Sequence, residues 1–441
     1  MKQWVYRRLD IAEMTPQSQS LAIRYFWLFS AQVAKIQIVT TFLVLFLLEI
    51  VTFAELGLLL AVQFALILLT DYPTGALGDT IGQKKVLMLA YLTEAMAILF
   101  LLSATSFLGY LPWAVLAALG ASQESGALES WFDNQYRTTS RNRDPERKIY
   151  GAFQGKMLAQ WRVLSGTLFI IGGVIAGVFS RRLLFMIQIG MVLIALLLIL
   201  RLMREAEKPA NPHPNAQTYR DKLIGSIQFV ISSKGLFFLF LGMAVFWGSV
   251  AVWFNLLLFP YYAGYAGTDE NIGLLRAIVF YTGILWTVYM VKISKRITSL
   301  PRPLFLAYLI MGPLYLGLLF VYYELFPPTN QLVLATFLGL IVLSQWASVL
   351  LPLQSMLQSR LLLELIPNEY RNSIYSLIPS LNTAFSVPLI ILGGFIIRYH
   401  GFAVGILFVA GLQGIGTIIL GIGLYWLTKQ LQPKPQSAPT S

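Results

Sequence analysis

Apolar runs of about 20 residues or more recur from one end of the chain to the other, separated by short polar intervals. They predict helices over 21–47, 54–76, 85–106, 112–137, 149–179, 181–203, 235–263, 271–293, 302–323, 331–362, 371–398 and 402–428. Each run is long enough to cross a hydrocarbon core about 30 Å thick as a helix. In lipid a backbone has to satisfy its polar groups within its own segment, which selects helices. A β-barrel would show alternating segments of about ten residues instead. The expected fold is an all-α membrane protein of about twelve transmembrane helices, with the lipid bilayer as its first partner.

The polar intervals set the topology. One set carries Lys84, Lys85, the run 137–148, the connection 204–234, Lys292, Lys295, Arg296, Arg302 and Lys429. The other carries Glu49, Glu55, Asp269, Glu270 and Glu324, with Arg181, Arg182 and Arg398 as its cations. Loops rich in Lys and Arg stay on the cytoplasmic side. Both termini are therefore expected there, in a multi-pass protein of the cell membrane. The longest polar connection holds Pro209, Pro212 and Pro214 near mid-chain. It divides the expected chain into an N-terminal segment 1–20, a six-helix bundle 21–203, a linker 204–234, a second six-helix bundle 235–428 and a tail 429–441. Within the linker, Leu223, Ile224, Ile227, Val230 and Ile231 fall on one helical face and predict an amphipathic helix at the membrane surface.

Composition agrees with this class. Of 441 residues, 57% are hydrophobic and 12% charged, and the mean hydropathy is +0.69. Soluble domains are about half apolar and about a quarter charged. The net charge of +12 follows from the basic loops rather than from a nucleic-acid surface, so no nucleic-acid partner is expected. The absence of cysteine removes disulfides, thiol catalysis and thiolate metal sites. The two histidines, His213 and His400, fall in expected loops. No nucleophile, acid pair or metal cluster emerges, so neither an enzyme, a metal nor a cofactor is expected. The first 20 residues carry Lys2, Arg7, Arg8, Asp10 and Glu13 without an apolar core, and no cleavable signal is expected there.

Residues 75–87 read Gly-Ala-Leu-Gly-Asp-Thr-Ile-Gly-Gln-Lys-Lys-Val-Leu between the second and third runs. Gly75, Leu77, Asp79, Gly82, Lys84 and Leu87 match the helix 2–3 loop of major facilitator superfamily transporters, which the chain resembles. Asp71-Tyr-Pro-Thr-Gly ahead of it, Ser125-Gly-Ala-Leu-Glu-Ser-Trp-Phe-Asp133 and Ile366-Pro-Asn-Glu-Tyr-Arg-Asn-Ser-Ile-Tyr-Ser376 resemble one branch that includes many exporters. The resemblance implies two parallel six-helix repeats. It also implies a gate of Gly75, Asp79, Gly82, Lys84, Lys85 and Asp133. Asp79 would sit near the start of the eleventh helix, where the dipole is positive. Lys84 or Lys85 would pair with Asp133. The chain departs from the pattern at Thr80 and Gln83. Gly75, Gly78 and Gly82 are expected to form tight turns. Gly126 is expected to let a neighbouring helix approach, and Asn372 or Ser373 to cap the eleventh helix.

Ionisable groups at mid-depth are costly in a bilayer and commonly line an interior. Lys35 with Gln32 on the first helix and Glu124 on the fourth are candidates for the solute cavity. Arg162 on the fifth joins them, on a stripe with Gly155, Gly166, Gly173 and Gly177 that partly resembles the glycine-rich motif of proton-coupled exporters. The candidates for proton coupling are Glu124 first, then Glu94 and Asp71, with Lys35 or Arg162 as partner of Glu124. In the second half Trp247, Asn255, Tyr281, Gln345 and Asn382 are the cavity candidates. An aromatic wall opposite a charged one would suit an amphipathic or cationic solute. The resulting expectation is a monomeric secondary transporter that expels drug-like or metabolite molecules against protons. An importer of a sugar or organic anion is the alternative, and a ligand sensor or scaffold of the same fold comes third.

Overall fold

The computed structural model describes residues 2–140, 143–204, 224–225 and 227–431. The proline-rich connection, much of the expected amphipathic helix and the end of the tail lie outside the described residues, although 227–232 is helical. No strand occurs among the described residues.

The long helices follow the apolar runs. They are α1 Pro16–Thr40, α2 Phe53–Ile81, α3 Gln83–Ser103, α4 Phe107–Glu124, α5 Lys148–Val178 and α6 Arg181–Leu202. The second set is α7 Lys234–Val252, α8 Asp269–Arg296, α9 Pro301–Leu309, α10 Leu334–Leu365, α11 Asn368–His400 and α12 Phe402–Leu431. Ten helical segments of the described residues are long and apolar enough to span a membrane. The other two are α1, which is rich in glutamine and carries Arg24 and Lys35, and α4, which is broken. After α4 the chain turns at Gly126, with φ 65, and resumes as Ala127–Thr139. Gly126 therefore breaks a helix instead of admitting a neighbour, and a Cβ there would meet nothing within 4 Å. α7 continues through a π-turn, Trp253–Leu257, into Leu258–Ala266. α9 does the same through Ile310–Leu314, which contains Pro313, into Tyr315–Leu325. Proline has no N–H to give, which loosens the local ladder.

Helix starts are chemically marked. Thr52 caps α2 in a reciprocal box with Glu55, and Thr15, Ser106, Ser180 and Ser233 cap α1, α4, α6 and α7. α11 begins at Asn368 behind Pro367, so Asn372 and Ser373 lie inside the helix rather than at its start.

The chain folds as two compact units. The first comprises Met1–Ala210, Leu258–Ile284 and Pro328–Ile341. Within it α1 packs on α5 and α6, α3 on α4 and α6, and α2 on α4. Tyr25 stacks on Phe132 at 4.2 Å in its core. The second unit comprises Asn211–Leu257, Leu285–Pro327 and Val342–Ser441. There α7 packs on α11 and α12, around Met243, Phe246, Tyr308, Leu357 and Leu420.

The α7–α12 contact depends on small residues. A Cβ on Gly242 would lie 2.7 Å from the Gly416 oxygen and from Leu420 Cα. Gly242→Leu should lower the unfolding temperature in detergent, by an overpacking cost of about 1–3 kcal/mol or more. Gly317→Ala, where a Cβ meets nothing within 4 Å, should leave it unchanged.

Candidate functional site

Lys35 lies on α1 with its side chain 0% exposed. Its Nζ donates to Glu94 Oε2 at 2.5 Å and to Glu124 Oε2 at 2.8 Å. It also sits 4.5 Å from the centre of the Tyr91 ring. Tyr91 and Glu94 are three apart on α3 and share a face. Glu124 is brought level with them by Gly120, one turn earlier on α4. A Cβ on Gly120 would stand 3.3 Å from the Ala90 oxygen and 3.6 Å from Glu94 N, so glycine lets α4 lie against the backbone of α3 without a tight contact.

The break in α4 falls directly after Glu124, with Ser125 as the C-terminal cap. The C-terminal end of a helix carries partial negative charge. The glutamate side chains keep 18% and 12% exposure while Lys35 is sealed. Glu124 Oε1, Gln32 Oε1 and Gln123 Oε1 are buried and accept no hydrogen bond among the described residues. One ammonium and two carboxyls are electrically neutral together when one carboxyl holds a proton. Unpaired charge is what a low-dielectric site resists most.

Sequence reasoning paired Glu124 with Lys35 or Arg162 and treated Glu94 as the lesser candidate. The structure brings Lys35, Glu94 and Glu124 together. Arg162 is elsewhere: its guanidinium lies against Gly283 of α8, and its Nε has no partner among the described residues. Asp71 is exposed about two-thirds of the way along α2 and makes none of these bonds. The Tyr91 ring under Lys35 was missed, as was the helix break. The break had a sequence signal in Ser125-Gly126.

The gate residues depart from expectation in several places. α2 runs through Gly75, Gly78 and Asp79 as helix, so the turn is confined to Gly82, with φ 97. The Asp79 side chain lies outside the described residues. Lys84 donates to the Leu200 carbonyl at 3.1 Å rather than to Asp133. Asp133 is occupied by Arg137, at 2.9 Å, and by Arg147. Asp144, in the same loop, accepts the backbone N–H of Ile149 and Tyr150 and the Tyr136 hydroxyl. Partial burial alone would raise its carboxyl, but these donors hold it below the usual carboxylate range.

The other candidates divide between the units. In the first, Tyr281 shares a hydrogen bond of 2.8 Å with Thr167. In the second, Trp247 donates to the Tyr308 hydroxyl at 3.2 Å, and Tyr308 donates to Gln358 at 2.7 Å. Gln345 accepts from Trp286 at 3.3 Å. Asn255 turns back onto the Ala251 carbonyl at 2.8 Å, within its own helix. Asn382 is half-buried on α11, and its carbonyl accepts from Ser386.

The family described as Major Facilitator Superfamily matches residues 26–387. The chain belongs to that superfamily. Characterised protein sequences gave no match. Among solved structures, the nucleoside transporter NupG is similar with a TM-score of 0.66 at 12% identity, over 93% of this chain and 99% of that one. A bacterial homologue of the human lysosomal transporter Spinster, inward-facing and unoccupied, gives 0.67 at 14% identity, over 96% and 99%. A POT family transporter in complex with 5-aminolevulinic acid gives 0.67 at 14% identity, over 94% and 96%. At these identities the likeness establishes the fold. The chain is a multi-pass membrane transporter of the major facilitator type and not an enzyme.

Removing the cation alone should hurt most. Lys35→Met leaves two carboxyls in a buried site and should destabilise the protein by about 3–5 kcal/mol, the usual cost of orphaning a buried charge. Adding Glu94→Gln and Glu124→Gln should restore much of the loss. Thermal unfolding of the unmodified protein, Lys35→Met and the triple variant checks this, and a triple variant no more stable than Lys35→Met contradicts it.

Proposed function

We propose that this superfamily member is a proton-coupled secondary transporter, and that Lys35, Glu94 and Glu124 form the site that holds the coupling proton. The observation behind the reading is the sealed ammonium bonded to two carboxyls at 2.5 and 2.8 Å. With one carboxyl protonated the cluster is neutral. With both ionised it carries one negative charge. A conformational change that alters the exposure of either carboxyl changes the balance between those states, because burial penalises charge. A proton is thereby taken up in one access state and released in the other. The α4 break gives the fourth helix a joint next to the site.

Solutes of drug-like or metabolite size are moved outward against protons on this reading. It draws on the resemblance of 71–75 and 125–133 to an exporter-rich branch and on the lysine and arginine bias of the loops. The protein then lies in the cell membrane as a monomer with both termini cytoplasmic. Its halves, 21–203 and 235–428, are parallel repeats, with Asp79 at the gate between access states.

The test uses purified protein in liposomes. Labelled lipophilic cations and organic anions are screened with and without a pH gradient. Glu124→Gln and Glu94→Gln should each slow gradient-driven accumulation by about tenfold or more, a barrier change of about 1.4 kcal/mol, while exchange without a gradient persists. Either variant concentrating solute as well as the unmodified protein would overturn the assignment.

A further inference from the structure

Four cations of the first unit lie along its helices α1, α5, α6 and α8, Lys35, Arg162, Arg181 and Arg276, and they differ in whether they meet acids. Lys35 has Glu94 and Glu124. Arg181 has both oxygens of Asp269 at 2.8 Å and Glu49 at 2.7 Å. Arg162 and Arg276 have none among the described residues, and the Nε of each is buried without a hydrogen-bond acceptor. The same unit that supplies carboxylates to Lys35 and Arg181 supplies none to these two among the described residues.

Both vacant guanidiniums lie on one helix seam. On α5, Arg162, Gly166, Phe169 and Gly173 fall at spacings of three to four and form one face. On α8, Gly273, Arg276, Phe280 and Gly283 do the same. The faces meet. A Cβ on Gly166 would lie 2.8 Å from the Tyr281 ring, and one on Gly173 would lie 2.8 Å from the Asp269 carbonyl. Arg276 is 6% exposed and is ringed by Phe169, Phe259 and Phe280 at 4.8, 5.2 and 5.1 Å. Arg162 is half-buried and lies against Gly283. The Phe280 ring stands between the two positions, in contact with Trp161 and Phe169. Seven residues of α8 separate Arg276 from Gly283, a rise of about 10 Å.

A guanidinium stays charged in any environment and presents a fork of donors that matches carboxylate and phosphate oxygens. Aromatic faces attract it but give no hydrogen bonds. We propose that the transported solute carries an oxyanion, a carboxylate or phosphate group, which Arg162 receives and which Arg276 receives in turn when the α5–α8 seam parts. The proposal rests on the transporter reading and names its solute class. It also redirects the aromatic wall: a cationic solute would have to displace Lys35 from both carboxyls, whereas an anionic one meets two vacant cations.

Full-length protein in detergent is unfolded thermally with citrate, benzoate or ribose phosphate, and with glucose, tetraphenylphosphonium and sodium chloride at matched ionic strength. At least one oxyanion should raise the unfolding temperature beyond the chloride control. Arg162→Gln should weaken that effect by about tenfold or more, with Arg162→Lys between, since a lone bidentate pair is worth about that much. Arg276→Gln should keep oxyanion binding but lose oxyanion exchange in liposomes; if it does not fold, Arg276→Met keeps the stem among the rings and takes its place. The proposal is overturned if no oxyanion exceeds chloride, if only the cation or glucose stabilises, if the oxyanion effect survives Arg162→Gln, or if exchange survives loss of Arg276. Glu124→Gln should retain oxyanion stabilisation. Oxyanion binding without proton coupling would therefore refute the coupling site and leave this proposal standing, and the converse result would refute this proposal alone.

Discussion

The burial of the Lys35 ammonium is the constraint on which the first unit depends. A charge with no exposure is tolerated only when it is paired and hydrogen-bonded. Satisfying it requires acids from two other helices, and those helices have to approach closely. Gly120 allows α4 to lie on the backbone of α3 beside Glu94. The end of α4 at Glu124 then places a carboxylate and a helix terminus next to the same cation. Helix packing, helix termination and charge satisfaction are one arrangement here.

The other charges of this unit show how the same rule gives different results. Arg181 is bidentate to Asp269 and reaches Glu49 as well, a combination of structural cation and acids that needs nothing further. Asp133 is saturated by Arg137 and Arg147. Lys35 is satisfied but leaves one carboxyl in excess, which is where the proposed coupling proton would sit. Arg162 and Arg276 are left with rings and glycine backbone for company. The glycines of α5 that suggested an exporter motif serve that packing: Gly166 accommodates Tyr281, and Gly173 admits the start of α8.

Much of the fold was legible because apolar length is a one-dimensional signal. The run expected at 181–203 is Arg181–Leu202, and that at 85–106 is Gln83–Ser103. Interruptions were harder to see. The π-turn at Trp253–Leu257 sits in an unbroken apolar run, and Gly126 read as a packing glycine when its role is a positive φ. The 75–87 stretch read as loop because of its glycines, yet helix continues to Ile81. At the site, Glu124 with Lys35 was legible from depth along two helices. That Glu94 joins Lys35 beside Glu124 was not legible, because side-chain direction across helices is not written in spacing. The expected partner of Asp133 was Lys84 or Lys85; in this structure Arg137, on its own helix, and Arg147 hold Asp133, and Lys84 is on the Leu200 carbonyl.

The central claim is that Lys35, Glu94 and Glu124 share one exchangeable proton. Infrared spectroscopy of the purified protein measures this directly, through the carbonyl stretch of a protonated carboxyl as pH is raised. The account predicts one such band that disappears reversibly on titration and is altered by both Glu94→Gln and Glu124→Gln. A spectrum in which no protonated carboxyl responds to either substitution at any pH where the protein is folded would contradict it.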